Sequence, residues 1–109
     1  TWARMLAEAT AQVIARGGGN PLDYLQQHSG LYHLAGAGAA SRYEWAREVI
    51  ERDPKRDEQI ATQLLPAKTA EFPNPASRPV FSALDCSKFS ETFQLPLPDW
   101  KESIQLMYG

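Results

Sequence analysis

Apolar residues recur at helical spacing near the start of the chain. Leu6, Ala9 and Val13 lie three and four residues apart, with Met5 and Ile14 beside them. This pattern predicts an amphipathic helix over residues 3–16. Gly17-Gly18-Gly19 stops it, because glycine readily takes the left-handed backbone of a helix C-cap. Asn20-Pro21 continues the break, and residues 22–28 add a short helical turn. Ser29-Gly30 then redirects the chain into Leu31-Tyr32-His33-Leu34-Ala35, a short run between glycines that reads as a strand. Ser41 with Glu44 three residues later is a capping box. The i,i+4 pairs Trp45/Val49 and Ala46/Ile50 mark the buried face of the helix that follows. Asp53-Pro54 closes that helix, since proline disfavours helical backbone in the residue before it.

Beyond a charged connection, Ile60 to Leu65 is apolar enough for a second strand, closed by Pro66. Residues 67–79 contain Pro73, Pro75 and Pro79 with little periodicity, which predicts an extended loop. Asp85 caps a short helix carrying Phe89 and Phe93 at i,i+4. Leu95-Pro96-Leu97-Pro98 is a rigid link. Asp99 caps a last helix with Trp100, Ile104 and Met107 as its apolar stripe. The predicted fold is a small α+β lobe with about four helices and a short two-strand element.

The 109 residues allow one small domain. Such a domain buries somewhat over ~60% of the surface of its unfolded chain, so its core is thin. A net charge of -2 argues against a general nucleic-acid binder, which would normally carry a basic face. Cys86 is the single cysteine, so no internal disulfide forms. No apolar run approaches the ~20 residues that span a bilayer, so neither nucleic acid nor membrane is expected as a partner. No secretory leader is recognised. Thr1-Trp2-Ala3 has no initiator methionine, and the chain is expected to begin inside a longer polypeptide.

Few residues carry chemistry. Gly36-Ala37-Gly38-Ala39-Ala40-Ser41 partly matches the G-x-G-x-x-G dinucleotide fingerprint. Its third glycine is replaced by Ser41, and the next strand candidate ends Leu64-Leu65-Pro66-Ala67 without an acid for the ribose. It reads as a glycine-rich turn before an N-cap, and no cofactor is expected there. Arg78 can grip a phosphate in bidentate fashion, with Pro79 restricting the backbone that presents it. The alternative is an ion pair with Asp85 or Glu71. Lys88 either reaches a phosphate or is a solvated helix residue. Asp85 reads as a helix cap rather than an acid catalyst. His33 is expected to be packed or hydrogen-bonded, and His28 solvated. With Cys86 they lack zinc-type spacing, so no metal ligand is assigned. Trp2, Trp45 and Trp100 suit core or interdomain packing, with Trp2 the one to watch at the edge of the lobe.

Several segments resemble one family in order. Thr1-Trp2-Ala3-Arg4-Met5-Leu6-Ala7 is similar to the entry into the first C-terminal helix of the dTDP-4-dehydrorhamnose reductases, although members commonly have an acid where Met5 stands. Gly30-Leu31-Tyr32-His33-Leu34 resembles the family's Gly-x-Tyr-His segment, and Ser41-Arg42-Tyr43-Glu44-Trp45-Ala46 its Ser-x-Tyr-Glu-Phe-Ala helix start. Thr69-Ala70-Glu71-Phe72-Pro73, Arg78-Pro79 and Ser82-Ala83-Leu84-Asp85 form the most specific match. These enzymes are extended short-chain dehydrogenases/reductases. The resemblance implies that residues 1–109 are the C-terminal substrate-binding domain, without the N-terminal Rossmann domain that binds NADPH.

It further implies reduction at C4 of a dTDP-4-dehydro sugar to dTDP-L-rhamnose, in the cytoplasm. Arg78, Trp2 and Lys88 become the substrate-binding candidates. The implied partners are the dTDP-sugar, the Rossmann domain and a second copy in a homodimer; some members also use magnesium. The Tyr-x-x-x-Lys pair of such reductases is missing: Tyr24 is followed by His28, Tyr32 by Gly36 and Tyr43 by Arg47 at that spacing. No catalytic residue is therefore assigned, and the chain alone is expected to be inactive. Two other parents stay open: a reductase or epimerase of another nucleotide sugar, and a non-catalytic homologue like the methionine adenosyltransferase beta subunit.

Overall fold

The computed structural model describes residues 1–109. Five helices form: α1 (Ala3–Ala15), α2 (Pro21–Gln27), α3 (Arg42–Arg52), α4 (Ser87–Phe93) and α5 (Trp100–Tyr108). Single 3₁₀ turns occur at Arg56–Glu58 and Thr69–Glu71. The predicted two-strand element is absent. No main-chain hydrogen bond involves residues 31–35 or 60–65. The only β-type pairing is an isolated parallel bridge between Ala37 and Asp99. A run of apolar residues favours extended backbone, but a strand also needs a partner for its ladder, and neither segment has one.

The helix signals act as read. Ser41 Oγ accepts from the Glu44 N–H at 3.1 Å, and the Ser41 N–H donates to Glu44 Oε2 at 2.8 Å. The reciprocal bonds satisfy two orphan donors of α3. Asp99 and Glu102 do the same for α5. Asn20 caps α2 and Pro21 opens it, where a missing N–H costs nothing. At α4 the N-cap residue is Cys86, one beyond the expected Asp85, yet the Asp85 carboxylate still accepts from the Ser87 N–H at 2.9 Å.

The core is small and joins the two ends of the chain. Ala9 and Val13 of α1 pack with Phe89 and Phe93 of α4. The buried stripe of α1 runs through Met5, Ala9 and Val13, while Ile14 is exposed. The Phe89 and Phe93 rings lie 5.0 Å apart, and Tyr32 and His28 sit 5.2 and 5.9 Å from Phe93. The histidines exchange their expected places. His28 is half-buried against Tyr24 and Phe93, and its Nδ1 lies 2.8 Å from the Tyr24 carbonyl. His33 is exposed without a hydrogen bond. The cause is the docking of α4 onto the end of α2, which covers position 28 and leaves 33 outside.

A second contact joins α3 to α5. There the buried side chain of α3 is Glu48, held by the Arg52 guanidinium, which also reaches Gln105. Tyr108 donates to the Val49 carbonyl. Trp45, expected inside, is half exposed, because α5 covers the Glu48–Val49 side of the helix. Between the two halves, Gly38 adopts φ +79°, and a Cβ there would stand 2.6 Å from Asp99 Oδ2 and 3.0 Å from Trp100. The glycine-rich turn thus lets residue 37 bridge to the start of α5.

The lobe is far from compact. Its radius of gyration is 17.9 Å, against about 13 Å for a compact chain of this length. Its accessible surface is 8618 Å², against roughly 6000 Å² for a compact monomer of this mass. Only eight residues are buried, and thirteen large hydrophobic side chains are exposed.

Candidate functional site

One arm is exposed along its whole length. Every residue from Leu65 to Asp85 is exposed, and no main-chain hydrogen bond involves residues 73–85. Pro66, Pro73, Pro75 and Pro79 keep this segment out of regular structure by removing donors and fixing φ. Its apolar side chains Phe72, Val80 and Phe81 face solvent at 68%, 107% and 77% exposure. Monomers seldom leave so large an apolar display uncovered without a binding role.

Arg78 stands on this arm, exposed, with no ion pair or side-chain hydrogen bond. The two acids proposed to brace it are occupied locally. Glu71 accepts from the Lys68 N–H at 2.9 Å, and Asp85 from the Ser87 N–H. A cation on a solvent-facing arm without a partner is available for an anionic ligand. Trp2 lies elsewhere, at the N-cap of α1 and half-buried. It lines a groove of about 440 Å³ with Arg4, Met5, Leu97, Pro98 and Leu106. The Arg4 guanidinium sits 5.7 Å from the centre of its ring.

Lys88 has intramolecular partners. Its Nζ donates to the Leu31 carbonyl at 2.9 Å and lies 4.7 Å from the centre of the Tyr32 ring. A cavity of about 280 Å³ opens beside the root of the arm. Gly36, Gly38, Leu84, Asp85 and Cys86 are among its lining residues. Leu95, Pro96 and Leu97 wall both this cavity and the Trp2 groove. The three expected site residues therefore occupy three places: the free arm, the α1 groove and the arm's root. Sequence reasoning overlooked the Leu95–Leu97 wall as a lining element, although its proline link marked it as rigid.

The carboxyl of Asp85 is held below the usual carboxylate range by the Ser87 hydroxyl, then by the Ser87 N–H, with His33 adding a smaller pull. Its folded pKa lies below its unfolded one, so its cap contributes fully above the ordinary carboxylate range. The contribution drains away as the pH falls through that range toward the depressed value. Asp85→Ala is thus expected to lower the melting temperature at neutral pH, and the gap to the parent should close on acidification. A gap that persists in acid, measured by thermal melts across pH, would show that the carboxylate charge is not what caps α4.

No three His, Cys, Asp or Glu side chains come together as a metal-binding group. No helix is long and apolar enough to cross a membrane.

The RmlD substrate binding domain family matches residues 1–109, and the chain belongs to it. The dTDP-4-dehydrorhamnose reductase of Escherichia coli (strain K12) is 36% identical over 108 residues, 98% of this chain and 34% of that protein. The enzyme of the same name from Burkholderia thailandensis is 31% identical, over 97% of this chain and 36% of its own length. A probable dTDP-4,6-dihydroxy-2-methyloxan-3-one 4-ketoreductase of Streptomyces antibioticus is 33% identical over 70% of this chain. The chain spans about a third of the length of the reductases it matches. No solved structure gives a significant match.

Proposed function

We propose that this chain is the nucleotide-sugar-binding lobe of a dTDP-4-dehydrorhamnose reductase. In that reading the complete polypeptide transfers a hydride from NADPH to C4 of dTDP-4-dehydro-6-deoxy-L-mannose, giving dTDP-L-rhamnose. The family match along all 109 residues carries the reading. The excess of accessible surface over that of a compact monomer supports it, because a lobe that closes against a cofactor domain must present such a face. Arg78 is the ligand to the diphosphate, and Trp2 faces the neighbouring domain or the nucleotide. NADPH and the catalytic Tyr-x-x-x-Lys pair belong to the polypeptide outside these residues.

The test is to incubate the complete polypeptide with NADPH and the 4-dehydro sugar nucleotide. Stoichiometric NADPH oxidation with a rhamno-configured product by NMR is expected. A different C4 epimer, or turnover only with another sugar nucleotide, would move the assignment to a related 4-ketoreductase, which the Streptomyces antibioticus relative favours as the second reading. Binding without any turnover would point to a regulatory homologue.

A further inference from the structure

We infer that the cavity at the root of the arm seats the pyrimidine base of the nucleotide sugar, and that the Asp85 carboxylate reads the base by accepting from its ring N3–H. This inference rests on the proposed reading of the ligand as a dTDP-sugar. The cavity measures about 280 Å³, just below the ~300–1,000 Å³ of pockets that hold a drug-sized molecule. It therefore takes one ring of a nucleotide sugar rather than the whole. Leu34, Phe89, Leu95 and Leu97 give it apolar walls, which suit a flat ring. No lysine or arginine lines it, whereas Asp85 does. The Ser87 hydroxyl and N–H hold that carboxyl in its ionised form. Such a wall repels a diphosphate, so the part of the ligand that enters is a neutral one.

The base and the sugar ring are both neutral, and hydrogen bonding separates them. Asp85 accepts from the Ser87 N–H at 2.9 Å through Oδ1, and a carboxylate has about four acceptor positions. Oδ2 therefore keeps capacity for a ligand. The Ser87 hydroxyl is engaged with Asp85, and the Ser90 hydroxyl donates to the Ser87 carbonyl at 3.0 Å. Gly38 also lines the cavity, and its N–H has no partner within the chain. One open acceptor and one open donor would leave most hydroxyls of a sugar ring unpaired, and each buried polar group left so is costly. They match the edge of thymine, where a single ring N–H lies between two carbonyls. Cytosine carries a lone pair at N3 instead, and that lone pair would face the carboxylate charge. Six residues separate Arg78 from Asp85, a reach of up to about 25 Å. A flexible arm can thus bring the guanidinium to a phosphate outside the cavity mouth without being held in one direction.

The experiment titrates the complete polypeptide with dTDP, dCDP and N3-methyl-dTDP, well below the melting temperature of each variant. The parent is expected to bind dTDP roughly ten- to a hundredfold more tightly than either of the other two. Asp85→Asn keeps most of the α4 cap, because asparagine also accepts from a backbone N–H, but it turns an amide N–H toward the base. Its affinity for dTDP should fall and its affinity for dCDP rise, until little of the preference remains. Equal affinity of the parent for dTDP and N3-methyl-dTDP would overturn the inference without any mutation. An undiminished preference for dTDP in Asp85→Asn would do the same, and equal weakening of all three probes would make Asp85 a helix cap alone. A loss seen with the dTDP-sugar but not with dTDP would put the sugar ring in the cavity and overturn the assignment to the base. A parent that binds none of the three nucleotides would defeat the reading as a dTDP-sugar lobe, and the inference with it. Failure of the Asp85 variant alone leaves that reading standing.

Discussion

Arg78→Ala in the complete polypeptide is expected to weaken dTDP-sugar binding roughly ten- to a hundredfold, the loss of one charge-assisted contact to phosphate. Its melting temperature should barely move. Arg78 makes no ion pair and sits on an exposed arm, so nothing in the folded chain depends on it. Arg78→Lys should recover only part of the affinity, because an ammonium cannot reproduce the planar two-pronged contact. On the proposed reading NADPH binds outside this lobe, and its affinity should stay constant. Calorimetric titration with substrate and with NADPH, beside a thermal melt of each variant, separates the possibilities. A stability loss with intact sugar binding would make Arg78 a brace of the arm.

Phe93→Ala is the second large effect, and it falls on folding. Phe93 is 4% exposed and touches Phe89, Tyr32 and His28. Truncating a buried phenylalanine costs about 3–5 kcal/mol. Domains of this size are stable by about 5–15 kcal/mol, and a lobe with eight buried residues belongs at the lower end. The isolated chain carrying Phe93→Ala should therefore be largely unfolded near body temperature, while Phe93→Leu stays folded with a lowered urea midpoint. An unchanged midpoint for Phe93→Ala would mean that the α1–α4 contact does not organise the lobe.

What the sequence disclosed follows the range of the interactions. Capping by Ser41 and Glu44, or by Asp99 and Glu102, is settled within four residues, and both boxes form as read. Phe89 and Phe93 face inward because their spacing puts them on one side of a single helix. The strands at 31–35 and 60–65 failed because a ladder is a property of two segments, and the second is not contained in the first. The histidines were misplaced for a similar reason. His28 is covered by α4, which follows it by about sixty residues. Arg78 was legible as a cation beside a proline, but its lack of partners depends on where Glu71 and Asp85 turn, which only the fold shows.

The arm between Leu65 and Asp85 adds almost nothing to the cohesion of the lobe, whose core is closed by α1 and α4 on either side of it. Closing a flexible loop grows costlier only as the logarithm of its length, about 0.6 kcal/mol per doubling. Insertions and deletions there are nearly neutral for folding, whereas the same changes in α1 or α4 are not. Selection can therefore lengthen, shorten or rewrite this segment while the scaffold stays fixed. On the proposed reading, sugar-nucleotide preference is free to diverge faster than stability.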